Sequence, residues 1–398
     1  MQQCIPESVG LSSHRLQRLD AAMQSYVDEG ILAGLVTLIA RRGQIAHLKS
    51  YGYADTEAEM PMPTDAIHRI ASMTKPICTV ALLMLYERGL FQLTDPISRY
   101  LPGFAESRVY VKDGLAGPEY EPAERPITFY DLLTHTAGLS YGWNLDTPVD
   151  ALYRAKEMAL RNKPPLEWAR DLAELPLVFQ PGTAWRYSLA TDLIGVLVAV
   201  IADRPLDQFL KERLFDPLGL VDTGFSLEGA QLARVPVLYA QTDDGLVRDT
   251  SPAQTRFAGE LVFPSGGGGL GSPAEDYGRF AQMLLNGGEM DGLRLLSRKT
   301  VEMMTSNHLT PDLLPFGVSG NLEPGMGFGL GVRVRMDVAQ SKVLGSVGDY
   351  GWSGAFCTDY WADPREQMIG LVMPQLVANG PLRIKDDFRV MAYQAIVD

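Results

Sequence analysis

Cysteine is scarce: the 398 residues contain three, Cys4, Cys78 and Cys357. An odd number, widely spaced, argues against a disulfide framework and fits a reducing cytoplasm. Histidine is also rare. His14, His47, His68, His135 and His308 show no metal-ligand spacing, so neither a metal nor a cofactor is expected. There is no basic excess. The formal net charge is −13, which disfavours nucleic acid and anionic membrane surfaces as partners. No apolar run approaches the roughly 18–20 residues needed to cross a bilayer. The opening "MQQCIPESVGLSSHRLQRLD" lacks a basic segment followed by an apolar stretch, so no signal peptide is expected, although an export signal already trimmed is left open. Repeats and low-complexity tracts are missing too. The partner left by these absences is a small molecule.

What is present suffices for a large core: 46% of the residues are hydrophobic. "GLVTLIARRGQIAHLKSYGYAD" (34–55) predicts two strands around a turn at Arg42-Gly43. A helix is expected from Ser72 to Leu90, with Pro76 tolerated in its first turn and Gly89 as its stop. From Thr94 to Arg213 the signals are mostly helical, and "TDLIGVLVAVIAD" (191–203) is the most apolar helix. Segments 327–336, 343–350, 353–363 and 367–375 read as short strands of an antiparallel meander, closed by a helix over 387–397. Strands at both ends and helices between them imply an α/β fold of the α+β type. A discontinuous sheet domain (1–92 and 255–398) would carry an inserted, mainly helical domain (93–254), with the active site in the cleft between.

"IASMTKPICTV" (70–80) places Ser72 and Lys75 three residues apart at the mouth of an apolar helix. Positions i and i+3 share a helix face. A serine hydroxyl becomes a nucleophile when a base removes its proton, and a lysine whose pKa is depressed by burial can do that. The plainer alternative is an N-cap serine beside a solvated lysine. Downstream, "WRYSLATDL" (185–193) sets Tyr187 ahead of a helix, and "GDYGWSGAF" (348–356) sets Ser353 and Gly354 where a strand begins.

Ser72-Met73-Thr74-Lys75, Tyr187-Ser188-Leu189 and Trp352-Ser353-Gly354 resemble, in order and rough spacing, the three motifs of class C β-lactamases, DD-peptidases and family VIII carboxylesterases. "LLTHTAGL" (132–139) and "SGGGGLGSPAEDYGRFAQMLLNGG" (265–288) also resemble that superfamily. The resemblance implies a β-lactamase-like antiparallel sheet flanked by helices, plus a helical domain. It implies Ser72 as the acylated nucleophile, with Lys75 and Tyr187 as the base system. The Lys75 ammonium would lower the Tyr187 pKa toward phenolate; which of the two takes the proton stays open. The oxyanion hole would be the backbone N–H groups of Ser72 and Ala355.

Two departures bear on substrate. Leu189 stands where the lactamase motif has an amide-binding asparagine, and Trp352 stands where it has a cation. Both remove polar readout and suit a neutral, short-chain carboxylic ester, as in family VIII esterases. Tyr141, Leu189, Trp352, Ser353 and Gly354 are the expected substrate-binding residues. Arg333 or Arg335 could still supply a cation, keeping β-lactamase, DD-peptidase or D-amino-acid amidase activity as alternatives, beside acyl transfer to another acceptor and a non-catalytic binding module.

Some patterns are expected to be decoys. "GLSYG" (138–142) matches a nucleophile elbow at Ser140, but no convincing strand precedes it and no helix is expected after it. Gly266, Gly268 and Gly271 match Gly-x-Gly-x-x-Gly without a βαβ unit, which favours close backbone packing. His135 is expected to be structural and Cys78 a buried core thiol.

Overall fold

Every residue from 34 to 41 is buried, yet the segment serves two cores. Val36, Leu38 and Ala40 join one apolar cluster, whereas Leu35 and Ile39 join another. This period of two marks a strand covered on both faces. The computed structural model describes residues 1–398 except 116 and 319. Its central sheet has eight strands: β1 (Gly34–Arg41), β2 (Gln44–Asp55), β3 (Met60–Pro61), β4 (Met326–Phe328), β5 (Arg333–Arg335), β6 (Tyr350–Ser353), β7 (Asp359–Asp363) and β8 (Met368–Pro374). Their spatial order is β4-β5-β6-β7-β8-β1-β2-β3, antiparallel throughout. β1 lies against β8 from Leu35↔Pro374 to Arg41↔Met368, so a strand from the start of the chain is zipped to one from its end.

Five helices frame the sheet and the site: α1 (Ser13–Asp28), α2 (Thr74–Glu87), α3 (Ala190–Ala202), α4 (Ala274–Leu285) and α5 (Ile384–Tyr393). Leu16, Leu19 and Met23 of α1 and Phe388 and Ala392 of α5 cover one face of the sheet, with Leu35, Ile39 and Val372. Tyr277, Phe280 and Leu284 of α4 cover the other, with Leu38, Tyr360 and Leu371. α2 packs along α3. Positions 74–83 of α2 are all buried, and a helix sealed on every side belongs inside a core.

The expected turn at Arg42-Gly43 is present, with φ of 53° and 80°, the left-handed pair that a two-residue hairpin loop requires. The helix expected from Ser72 to Leu90 begins as a 3-10 turn at Ala71–Met73 and its α-helical part ends at Glu87. Gly89, at φ 72°, marks the stop. Segment 353–363 begins with the last residue of β6, turns, and becomes strand again in β7 at Asp359, so it is not one continuous strand. Segment 343–350 is not a strand before Tyr350. The Asp349 carboxylate folds it into a loop instead. It accepts from Arg335 Nε at 2.8 Å, Arg389 Nη2 at 2.6 Å and the Ser346 N–H at 3.2 Å. Between Thr94 and Arg213 short helices outnumber strands but long loops separate them, and a hairpin pairs Arg108–Gly114 with Gly117–Pro122. A second hairpin, Tyr239–Thr242 with Gly245–Arg248, is joined in parallel by Leu376–Val377 next to β8. Among the described residues no helix is long and apolar enough to cross a membrane.

Candidate active site

Ser72 stands where the 3-10 turn hands over to α2, and Ala71 before it holds a left-handed φ of 44°. A residue with a β-carbon is strained there, and strain of this kind gathers at functional sites. The turn leaves Ser72 partly exposed, whereas Lys75 is wholly buried. Lys75 Nζ donates to Ser72 Oγ at 3.2 Å, to the Tyr141 hydroxyl at 3.0 Å and to the Gly267 carbonyl at 2.6 Å. It lies 4.6 Å from the centroid of the Tyr187 ring. The Tyr187 hydroxyl accepts from Trp352 Nε1 at 3.2 Å, and Ser72 is near enough to act on its pKa. Folding therefore gathers Ser72, Lys75, Tyr187 and Trp352 from three distant stretches of the chain.

Burial acts oppositely on the two candidate bases. It lowers the Lys75 pKa to about 7, against the opposing pull of the Asp192 carboxylate. It raises the Tyr187 pKa above the usual phenol value, and the hydrogen bonds from Ser72 and Trp352 only partly offset this. The expected lowering of Tyr187 toward phenolate is thus corrected: desolvation outweighs the lysine beside it, and the easily deprotonated group is the amine. His135 is driven well below its ordinary pKa by burial and by Lys75, so it stays neutral. It packs 5.0 Å from the Tyr187 ring and shares a 3.2 Å hydrogen bond with Ser188.

The third motif approaches from β6. Gly354 leaves no room for a side chain: a β-carbon there would stand 2.5 Å from the Ile70 carbonyl and 2.1 Å from Thr358 Oγ1. The turn after β6 can therefore press against the backbone just ahead of Ser72. Ala355 follows on the exposed side, and among the described residues neither its N–H nor that of Ser72 has a hydrogen-bond acceptor. Both N–H groups are therefore unpaired among the described residues, as donors kept for an oxyanion must be.

The expected substrate contacts are placed differently. Leu189 is fully buried, at the head of α3, and offers no surface to a ligand. Trp352 is as buried as Tyr141 and its N–H is taken up by Tyr187, so it offers little to a ligand in this structure. Ser353 Oγ donates to Asp359 Oδ1 at 2.5 Å. Tyr141 is 4% exposed, hydrogen-bonded to Lys75 and stacked 4.0 Å from the half-exposed Trp143. It supports the lysine, and Trp143 forms the outer surface. Arg335 is sealed by Asp349, Ser341 and the Val343 carbonyl, which removes it as a cation for substrate. Arg333 lies between Glu323 and Asp359 at 3.3 Å each.

Ser140 is buried, donates to Asp150 and accepts from the Gly142 N–H at 2.9 Å, close to Arg186. Its neighbours form an ion cluster, Arg186 with Asp146 and Asp150, not a catalytic triad. A short helix, Phe129–Leu133, precedes it where an elbow needs a strand. A helix does follow, Pro148–Ala155, in a stretch expected to be loop. Cys78 is fully buried, as expected. Sequence reasoning missed the Gly267 carbonyl, the Tyr141 hydroxyl as lysine partner, and the Asp192–Arg161 pair beneath them. A backbone carbonyl has no sequence signal. The acidic residue three positions into an apolar helix, Asp192, was a visible one.

The beta-lactamase family model matches residues 19–395. Protein Rv1367c of Mycobacterium tuberculosis is 37% identical over 367 residues, covering 89% of this chain and 88% of its own. Esterase EstB of Burkholderia gladioli is 32% identical over 387 residues, covering 92% and 93%. Among solved structures, EstCE1, described as a hydrolase with promiscuous acyltransferase activity, superposes with a TM-score of 0.81 at 27% identity, covering 95% of this chain and 98% of that one.

Proposed function

Because the chain belongs to the beta-lactamase family and is a serine hydrolase of its esterase branch, we propose that it hydrolyses short-chain carboxylic esters through an acyl-enzyme on Ser72. The observation that carries this reading is the buried Lys75 amine, 3.2 Å from a partly exposed serine hydroxyl. A neutral amine has two N–H donors and one lone pair. With Gly267 O and the Tyr141 hydroxyl as the acceptors of the two donors, the lone pair is left for Ser72. Lys75 is then the general base. Ser72 Oγ attacks the ester carbonyl as its proton passes to Lys75, and the N–H groups of Ser72 and Ala355 receive the oxyanion. Tyr187, protonated at neutral pH, gives its proton to the departing alkoxide and regains one from the Lys75 ammonium. Water repeats the sequence on the acyl-enzyme and frees Ser72.

The apolar surroundings support an ester over a lactam or peptide. Trp143 stacks on Tyr141, Trp185 and Trp352 pack on Tyr187, Phe316 packs on Trp185, and Arg335 is sequestered. An ester also has the better leaving group, so one phenol suffices as acid. Intact-mass spectrometry after a fluorophosphonate, with peptide mapping, should place a single adduct on Ser72. Turnover of p-nitrophenyl butyrate should exceed that of nitrocefin and vanish in Ser72→Ala. An active Ser72→Ala protein, or faster nitrocefin turnover, would refute the proposal. Likeness to EstCE1 favours a second reading, transfer of the acyl group to an alcohol, which competition between water and added alcohol would reveal as a mixed ester.

A further inference from the structure

Asp192 lies in the first turn of α3, fully buried, and does not touch Ser72 or Lys75. Its carboxylate is nevertheless crowded with donors. Arg161 Nε and Nη2 approach at 2.7 and 2.8 Å, Ser265 Oγ at 2.6 Å and the Gly267 N–H at 3.2 Å. Two of these donors belong to the 265–269 loop, and the loop is drawn in closely. A β-carbon on Gly267 would stand 2.3 Å from Asp192 Oδ2. The same glycine presents its carbonyl to Lys75 Nζ at 2.6 Å. One residue thus has its N–H on the carboxylate and its C=O on the amine.

The charges around Lys75 can be counted on every side. Tyr141 and Tyr187 are phenols raised by burial, and so is the Cys78 thiol; all are neutral near pH 7. His135, depressed by burial, is neutral as well. Arg256 donates to the Gly268 carbonyl and interacts electrostatically with Arg161 and Asp192. Asp192 and Arg161 are the charged pair that acts on the amine, and they pull its proton affinity in opposite directions. An isolated buried carboxylate would hold an ammonium in place, whereas a carboxylate matched by a guanidinium holds the loop without doing so.

We propose that Asp192 and Arg161 are positioning residues for Lys75: Asp192 anchors the 265–269 loop so that the Gly267 carbonyl aims the amine at Ser72, and Arg161 balances the carboxylate so that the amine can release its proton. The proposal rests on Lys75 acting as base. Catalysis requires the neutral amine, so kcat/KM rises with pH through the Lys75 titration. Loss of the Arg161 charge leaves Asp192 unbalanced, which raises the proton affinity of Lys75 and moves this acid limb to higher pH. Loss of the Asp192 charge moves it to lower pH.

The test is the pH dependence of kcat/KM for p-nitrophenyl butyrate in wild type, Arg161→Met, Arg161→Lys and Asp192→Asn, with thermal melting to confirm folding. Arg161→Met should shift the limb upward by about one pH unit or more. Arg161→Lys, which keeps the charge but loses the bidentate geometry, should leave it within a few tenths while lowering kcat. Asp192→Asn should shift it downward and lower kcat by at least about tenfold. An unmoved limb in Arg161→Met, or an equal shift in Arg161→Lys, would overturn the proposal; a variant that fails to fold leaves the other two to decide. Wild type that turns over no ester, or that labels at another serine, would instead overturn the esterase reading.

Discussion

Lys75 has a side chain that normally reaches for water, yet it is sealed beneath a partly exposed serine. Its three acceptors compensate for lost hydration, and burial brings its pKa to about 7. The expected pH profile follows. The acid limb of wild-type kcat/KM lies near pH 7, activity rising as the ammonium deprotonates, and a stopped assay from pH 5 to 9 measures it. Under the proposed mechanism Tyr187, held protonated by burial, is the proton donor rather than a phenolate. Tyr187→Phe should lower kcat by at least ~10² while leaving fluorophosphonate labelling of Ser72 detectable. A near-normal kcat would remove the phenol from the mechanism. Ser140→Ala separates structure from chemistry. It deprives Asp150 and the Gly142 N–H of a buried partner, which costs about 1–3 kcal/mol in denaturant titrations, and most of the kcat should survive.

At the scale of elements, the site is a meeting of two chain reversals. One is the strained turn that carries Ser72 into α2; the other follows β6 and carries Ala355. Their distance is set by Gly354, whose missing side chain lets the second turn rest on the Ile70 carbonyl. Gly354→Ala must push the turns apart. The expected result is a kcat/KM at least ~10² lower with little change in far-UV circular dichroism, because one oxyanion donor moves while the sheet stays. A fully active Gly354→Ala enzyme would dissociate the third motif from the oxyanion hole. Residues 74–83 of α2 are buried on every side, so the expected contribution of this helix is a rigid first turn that holds serine and lysine in register.

Over the whole molecule, the seam between β1 and β8 makes the sheet one body and ties the start of the chain to its end. Leu371 sits on that seam, opposite Leu38 and fully buried. Leu371→Ala should cost about 2–5 kcal/mol in chemical denaturation, with the kcat of the folded protein close to normal. Equal losses in stability and in kcat would mean that the seam also tunes the site.

Much of this was legible from residues alone, and the reasons are local. Strand-forming residues on either side of a turn announced β1 and β2, the Arg42-Gly43 pair announced that turn, and spacing of three placed Ser72 and Lys75 on one face. The family followed from short motifs in a fixed order. Other features were hidden because they depend on groups far apart in the chain. Segment 343–350 has strand-like residues, yet Asp349 finds Arg335 and Arg389 and bends it away. Leu189 looked like a specificity residue and is core, because the head of α3 turns it inward. The direction in which Tyr187 titrates also had to await the fold. Sequence determines which groups can exchange a proton; only tertiary packing decides how much water each one loses, and desolvation here outweighs the neighbouring charge.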